Sequence, residues 1–396
     1  MRVFTRCKDL IKNAGVVIFS RLIRRDDRVV LIGAWMGEKF ADNSRFLFQY
    51  LSSHKEENNL KHVVWATRSP DVKNELIKMG YSCVLIGTKE SFYWHCKSGI
   101  HVICNMTDGG DNYNSDIDIT LSAGAKKVQL WHGNGIKCVP GSIRENNRLK
   151  AFLHKISSKG CWDVDNYYYL CKNDIDVQFF EQKFGARPER CIDGAYPRTC
   201  PCERYTEEEL RVIERLKQYN KVIIYLPTFR AKYDEFIHPL AEHSILEYLE
   251  INNILWIEKP HSADKTSSSV STVESNNVLH LDSSFDINVL MPLIDVLVTD
   301  YSSAMLDALY FEKQVVYYVP DYEYYIKDDR GFLIDYDSVC INKKVESIDG
   351  LLSAIEIALN TNNYGEEALR IRRMFWKYDN WGYKEIWEAI LKKIYE

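Results

Sequence analysis

Residues 295–320 read DVLVTDYSSAMLDALYFEKQVVYYVP. The stretch opens as an apolar, β-rich run from Val296 to Thr299. It crosses Asp300-Tyr301-Ser302-Ser303 into a helical pattern through MLDALYFEK, then returns to a second β-rich run in QVVYYVP. A strand, a helix and a strand in succession make a crossover unit, which places the two strands parallel in one sheet. The same alternation extends outward in both directions. Towards the N-terminus, RVVLIGAW, HVVWAT, YSCVLIG, IHVICNM, KKVQLWHG and YYYLCKN read as strands. Between them KFADNSRFLFQYLSSH, DVKNELIKMG and DIDVQFFEQKFG read as helices, with Gly80 and Gly185 as stops. After TEEELRVIERLKQ, a helix opening on Thr206 with Glu209 at the capping-box position, the series restarts with KVIIYLPTFR, ILWIEKPH and NVLHLD. The polar run 263–277, ADKTSSSVSTVESNN, reads as a surface loop.

With 396 residues the chain exceeds one ordinary core, and Pro188, Pro197 and Pro201 interrupt the pattern between the two series. The expected fold is α/β: two Rossmann-type domains with parallel sheets facing a central cleft. The expected division is a basic amphipathic N-terminal helix over 1–26 and an N-terminal Rossmann-like domain over 27–202. A C-terminal Rossmann-like domain over 203–370 and a C-terminal helix over 371–396, packing back on the N-terminal domain, complete it.

Composition narrows the class. Hydrophobic residues make up 46% and charged residues 27%, as in soluble globular chains, and a net charge of −5 carries no nucleic-acid footprint. The 11 cysteines have no repeating spacing, and many sit in apolar runs, which reads as free thiols in a reducing compartment. Cys200 and Cys202 lack a second pair at zinc-ligand spacing. Neither GxxxxGK nor GxGxxG occurs, which argues against P-loop and dinucleotide enzymes.

No run reaches the ~20 apolar residues that span a bilayer. The N-terminus instead alternates an apolar stripe (Val3, Phe4, Cys7, Leu10, Ile11, Ala14, Val17, Ile18, Leu22) with Arg2, Arg6, Lys8, Lys12, Arg21, Arg24 and Arg25. Basic residues interrupt the apolar core and no small-residue cleavage site follows, so a signal peptide fits poorly. Two readings stand: a helix lying on an anionic membrane surface, or an ordinary first helix packed on the protein.

In open parallel sheets, ligands bind at the carboxyl ends of the strands. Four endings here are chemically equipped: Trp131-His132-Gly133, Thr228-Phe229-Arg230, Lys259-Pro260-His261 and Asp300-Tyr301-Ser302-Ser303. Ser302 and Ser303 stand where free helical N–H groups favour an anion, although one of them can equally serve as an ordinary N-cap. Asp300 and Thr228 stand at two of these strand ends, within reach of whatever the cleft binds.

Taken together, LWHGNGIK (130–137), YLPTFR (225–230), KPH (259–261) and the block 295–336 resemble the CDP-glycerol glycerophosphotransferase family of teichoic acid and capsule primases and polymerases. Within the last block the resemblance is carried by Asp-Tyr-Ser-Ser, Asp307, a Tyr-rich segment and Arg330-Gly331-Phe332. The resemblance implies a GT-B-like fold, with the N-terminal domain on the acceptor side and the C-terminal domain binding the CDP donor. It implies Asp300 and Thr228 on the donor's alditol or nucleotide, and transfer of glycerol phosphate, or another alditol phosphate, from that donor with release of CMP. It assigns His132 as general base, His261, Ser302 and Ser303 to the donor phosphates, and Asp307 to the alditol end. Arg230 and Lys259 match family positions among the phosphate-binding groups. Where the family has Thr-Pro before the lysine, this chain has Asn134-Gly135, which bears on the shape of the acceptor pocket.

The expected partners are CDP-glycerol or CDP-ribitol, a lipid-linked saccharide or nascent polymer as acceptor, and an anionic membrane surface, with no nucleic acid. No cofactor and no metal is expected, since no Asp-X-Asp pair is placed to hold one. The expected location is cytoplasmic, on the inner face of the cell membrane. With no added acceptor-binding domain legible, a primase-type enzyme is the expectation. Two other readings remain: a GT-B glycosyltransferase using a UDP- or GDP-sugar, and a non-catalytic nucleotide-binding protein.

Overall fold

The computed structural model describes residues 15–16, 18–105, 115–136, 167–228, 238–259, 272–323, 325, 332–361 and 364–396. The chain forms two compact units, one of residues 1–132, 141–206 and 378–396, the other of residues 133–140 and 207–377. The division falls at 206/207 rather than 202/203, and residues 133–140 belong with the second unit instead of the first.

The first unit is built on seven parallel strands: β1 (Asp26–Ile32), β2 (His62–Thr67), β3 (Cys83–Leu85), β4 (Ser98–Ile103), β5 (Lys126–Gln129), β6 (Tyr167–Cys171) and β7 (Cys191–Asp193). Their order is β3-β2-β1-β4-β5-β6-β7. Its helices are α1 (Asp42–Ser53), α2 (Pro70–Lys78), α3 (Lys89–Lys97) and α4 (Asp174–Phe184). Side chains begin three of them. Ser69, Thr88 and Asn173 accept from the backbone N–H of Val72, Ser91 and Asp176, each satisfying a donor that the first turn leaves open. Gly185, at φ 64°, closes α4 in the left-handed conformation that glycine adopts without strain. Val29, Val30, Leu31 and Ile32 are fully buried, as the central strand of a sheet covered on both faces requires.

The second unit repeats the winding. α5 (Glu207–Leu216) leads into β8 (Lys221–Leu226). Then come α6 (His243–Ile251), β9 (Ile254–Glu258), β10 (Val278–His280), β11 (Val296–Thr299), α7 (Ala304–Tyr310), β12 (Gln314–Tyr318), β13 (Lys344–Val345), α8 (Ile348–Asn360) and α9 (Glu366–Phe375). The strand order is β10-β9-β8-β11-β12-β13, again all parallel. Tyr225, Trp256, Val298 and Tyr318 from the sheet pack with Leu249, Leu351 and Ile355 from the helices in one core. The chain ends in α10 (Tyr383–Tyr395), which belongs to the first unit and packs on β6 and β7. Tyr383 stacks on Tyr50 at 4.9 Å and donates its hydroxyl hydrogen to Pro201 O at 2.6 Å.

One expectation needs correction. β5 ends at Gln129, although the apolar run continues through Trp131. Gln129 Oε1 accepts from Trp131 N at 2.9 Å and Trp131 turns to φ 60°, so the ladder cannot continue. The proline-broken stretch before the second series contributes β7 to the first sheet, within the expected N-terminal domain.

The N-terminal stripe up to Ala14, and Val17, lie outside the described residues. Residues 18–22 are helical and fastened to the first unit from one side. Ser20 Oγ reaches Leu121 O and Ala123 O at 2.8 Å, and the Arg25 guanidinium donates to His95 O, Ser98 O and Leu121 O. Ile18, Phe19 and Leu22 face outward, 59%, 50% and 81% exposed, so the described part of this helix packs on the protein by one side only. Among the described residues no helix is long and apolar enough to cross a membrane. The described cysteines are free thiols.

Candidate active site

His132 lies three residues beyond β5, at the carboxyl end of the first sheet. Its Nδ1 is 2.9 Å from Cys104 O, the residue after β4. A carbonyl oxygen only accepts, so Nδ1 carries the proton and Nε2 holds the lone pair. The ring packs against Trp131 at 4.3 Å and Trp35 at 5.1 Å. Burial among these rings pushes the imidazole pKa down to about 4; the Arg198 and Lys183 charges push the same way, and the bond to Cys104 O opposes them. His132 is therefore neutral at pH 7 and able to accept a proton.

The backbone around this ring is strained. Trp35, Met36 and Trp131 adopt φ of 46°, 57° and 60°, a region that costs a bulky L-residue roughly 1–2 kcal/mol. Buried groups hold these turns in place. Asn43 Nδ2 donates to Trp131 O at 2.9 Å, and Asn43 Oδ1 accepts from Arg198 N. Arg198 in turn pairs with the buried Asp42 at 2.8 Å. The fully buried Asp116 accepts from Met36 N, Cys104 N and Asn105 N at 2.7–2.8 Å.

In the second unit, Asp300 directly follows β11 and is buried. Its carboxylate accepts from Thr228 N at 2.9 and 3.0 Å, from Thr228 Oγ1 at 2.6 Å and from Tyr301 N at 2.5 Å. The turn beyond it rests on aromatic rings. Tyr301 stacks on Tyr325 at 3.7 Å and donates its hydroxyl hydrogen to Asp321 at 3.0 Å, while Tyr336 donates its own to Asp300 O. Ser302 and Ser303 stand half-exposed at the start of α7. Ser302 Oγ accepts from Ala304 N at 3.3 Å and Ser303 Oγ from Asn134 N at 3.4 Å. The Asn134 amide also donates to Ser303 O and to Asp307 Oδ2, both at 3.3 Å.

The structure thus brings Thr228 against Asp300, and Ser303 together with Asp307 through Asn134. Lys259 follows β9, next to the buried Glu258, which accepts from Trp256 Nε1 at 2.8 Å and lies 3.1 Å from His238 Nε2. Arg230 and His261, with Lys137, Arg330 and Gly331, lie outside the described residues. Sequence reasoning missed Asp116, which no pattern in SDIDI marks. It noticed Asn134 only as a departure from the family pattern.

Two parallel-sheet Rossmann-type domains, each with polar groups gathered at the carboxyl ends of its strands, make a GT-B-like fold. The wall teichoic acid polymerase TagF, in a variant soaked with CDPG, has the same fold: TM-score 0.71 over 99% of this chain and 98% of that one, at 18% identity. The sequence narrows the class further. The family model for CDP-glycerol:poly(glycerophosphate) glycerophosphotransferases matches residues 16–391, and the chain belongs to that family of CDP-glycerol-using transferases. The teichoic acid poly(glycerol phosphate) polymerase of Bacillus spizizenii is 24% identical over 388 residues, 92% of each chain. The teichoic acid glycerol-phosphate transferase of Staphylococcus aureus is 21% identical over 397 residues, 93% of each.

Proposed function

We propose that the protein transfers glycerol phosphate from CDP-glycerol to a hydroxyl of a lipid-linked saccharide in teichoic acid or capsule synthesis, releasing CMP. The match of the glycerophosphotransferase family to residues 16–391 carries this reading. In the proposed step the acceptor oxygen attacks the phosphorus that bears glycerol. The bond from that phosphorus to the oxygen of the CMP phosphate breaks, and CMP leaves with the electron pair. The proton of the attacking hydroxyl passes to His132 Nε2. Charge that builds on CMP falls on Ser302, Ser303 and the α7 N-terminus, with Lys259, His261 and Arg230 as cationic partners. Asp307, Thr228 and Asp300 orient the alditol and nucleotide ends. These donors need no metal ion, so turnover is expected to survive chelation by EDTA.

Mass spectrometry of the product made from CDP-glycerol or CDP-ribitol and a defined acceptor tests the reading. Mass increments of one or a few glycerol phosphates support a primase-type reaction, and a long ladder makes the enzyme a polymerase. Increments of ribitol phosphate alone change the donor, and transfer from UDP- or GDP-sugars only would sink the proposal.

The acceptor's lipid keeps it at a bilayer, and we place the enzyme on the inner face of the cell membrane. Exposed Ile18, Phe19 and Leu22 support this, with Phe19 stacked on the exposed Phe92 at 6.1 Å and Tyr93 exposed on the same helix. Arg21 and Arg24 add charge worth about 1 kcal/mol each near an anionic leaflet. Because Ser20 and Arg25 fasten the helix, Phe19→Asp with Leu22→Asp is a cleaner test than truncation. The pair should lose co-sedimentation with anionic vesicles and keep activity on a soluble acceptor. Unchanged vesicle binding removes this segment from the interface.

A further inference from the structure

Asp116 is a buried carboxylate that the proposed chemistry does not use directly, yet its bonds lead to His132. The residue lies in the segment following β4 and packs onto the end of β1. Gly33 makes the approach possible, since a Cβ there would stand 2.4 Å from Asp116 O and 2.8 Å from Ile117 Cγ2. Oδ1 accepts from Met36 N at 2.7 Å, and Oδ2 accepts from Cys104 N at 2.8 Å and Asn105 N at 2.7 Å. The Arg68 guanidinium stands on the same segments, donating to Met36 O at 2.7 Å and Ser115 O at 2.8 Å.

The third of these bonds matters most. Asn105 N–H and Cys104 C=O belong to one peptide group. That peptide donates to the Asp116 carboxylate through its nitrogen and accepts from His132 Nδ1 through its oxygen. A peptide whose N–H is bound to an anion carries more negative charge on its oxygen, because consecutive hydrogen bonds polarise one another, and the effect is complete above about pH 7, where the buried Asp116 is ionised. Its oxygen then holds Nδ1–H more firmly and stabilises the imidazolium that forms when Nε2 takes a proton. The bond from Met36 N fixes the turn that places Trp35 against the imidazole.

We propose that Asp116 is the positioning residue for His132, acting through the Cys104–Asn105 peptide to fix the imidazole's tautomer and orientation and to raise its basicity. A carboxylate, one peptide and an imidazole in series do here what a carboxylate bonded directly to a histidine does elsewhere. The proposal rests on His132 as the base, so its test reads the imidazole itself as well as turnover.

Long-range proton–nitrogen NMR on the intact wild-type protein reports which nitrogen of neutral His132 is protonated. The expected result is a single Nδ1–H tautomer with a downfield, slowly exchanging proton. An Nε2–H tautomer or an equal mixture overturns the proposal, whatever the activity of any variant. Asp116→Asn keeps the shape and, with its amide oxygen towards Cys104 and Asn105, two of the three bonds, but loses the charge. It should shift the Nδ1–H resonance upfield and lower the pKa of His132. kcat should fall about 10–100-fold, the usual cost of removing a partner that orients a functional histidine, with the KM for CDP-glycerol unchanged. Asp116→Glu should recover part of the loss. A folded Asp116→Asn with the wild-type resonance and the wild-type pH–rate profile makes Asp116 structural only. If His132→Ala retains turnover while the tautomer and its response to Asp116→Asn are as expected, the base assignment fails and the positioning of the ring stands.

Discussion

Both sheets wind in the same order, so the ends of β1 and β4 in the first domain correspond to the ends of β8 and β11 in the second. At both places a buried carboxylate gathers backbone N–H groups from the two strand ends. Asp116 joins Met36 to Cys104 and Asn105, and Asp300 joins Thr228 to Tyr301. Adjacent parallel strands in the middle of a sheet finish with N–H groups that no further ladder satisfies, and one carboxylate can take several of them. The difference lies in what each clamp serves. In the first domain it sits behind a histidine wrapped in aromatic rings and kept neutral. In the second it sits beneath two half-exposed serines at a helix start. The contrast suits the proposed roles, since a base works best shielded from water with its lone pair open, whereas a phosphate site works best with donors at the surface.

The sharpest break of this contrast is His132→Ala. Removing the proposed general base should cost about 10²–10⁴-fold in kcat while CMP affinity, read by calorimetric titration, stays within a factor of two. Near wild-type turnover would remove the first domain from the chemistry. The mirror experiment is Asp300→Ala. It orphans the N–H groups of Thr228 and Tyr301 at about 1–3 kcal/mol for each buried donor, so the second domain should lose stability and CMP binding together. If CMP binding survives Asp300→Ala intact, the clamp is dispensable and the likeness between the two strand ends is geometric only.

The domains should also part in acid. His95, His101 and His132 all have pKa values lowered chiefly by burial, His132 to about 4. A group depressed on folding contributes stability that is present above its unfolded pKa and lost as pH falls through its folded one, so His132 weakens the first domain between 6.5 and about 4. Asp116 runs the other way. Burial pushes it up to about 7, so its contribution is present in acid and lost as pH rises towards 7. Three histidines against one carboxylate leave a net loss in acid. Hydrogen exchange at pH 5, corrected for intrinsic rates, should show β1, β4 and β5 losing protection before β8, β9 and β11. Equal protection in the two sheets refutes this.

The two clamps also show what a sequence can disclose. Asp300 continues its own strand into Tyr301-Ser302-Ser303, so strand, clamp and helix start are contiguous and the corner can be read from one line of residues. Asp116 reaches Cys104 N from 12 positions further along the chain, and no local spacing announces that return. The same logic separates the elements. β3 and β10, with three residues each, sit inside longer apolar runs that read as strands, whereas β7 and β13, with three and two, lie in polar surroundings that carry no such run. The end of β5 misleads for a different reason. Leu130 and Trp131 are as apolar as a strand, and only the Gln129 side chain, capping Trp131 N, turns the backbone away. His132 was legible as a residue after a strand, but its tautomer was not, because Cys104 is distant in sequence.

The smallest expected effect probes the serines. A hydroxyl offers one donor and two acceptor positions. In their described bonds Ser302 Oγ and Ser303 Oγ both accept, from Ala304 N and Asn134 N, so the hydrogen of each can point to a phosphate oxygen. A hydrogen bond to a charged acceptor is worth about 1.5 kcal/mol at the low end, which predicts roughly tenfold weaker CMP binding for Ser302→Ala or Ser303→Ala. The two variants should differ in one respect. Ser303→Ala also frees Asn134 N, which lies two residues after His132, so it should disturb turnover more than affinity requires. Ser302→Ala touches only the first turn of α7 and should lower affinity alone. Calorimetry with CMP and kcat at saturating CDP-glycerol separate the two outcomes. Wild-type affinity in the double variant would move the phosphate site away from this corner and leave the resemblance at Asp-Tyr-Ser-Ser to the Asp300 clamp alone.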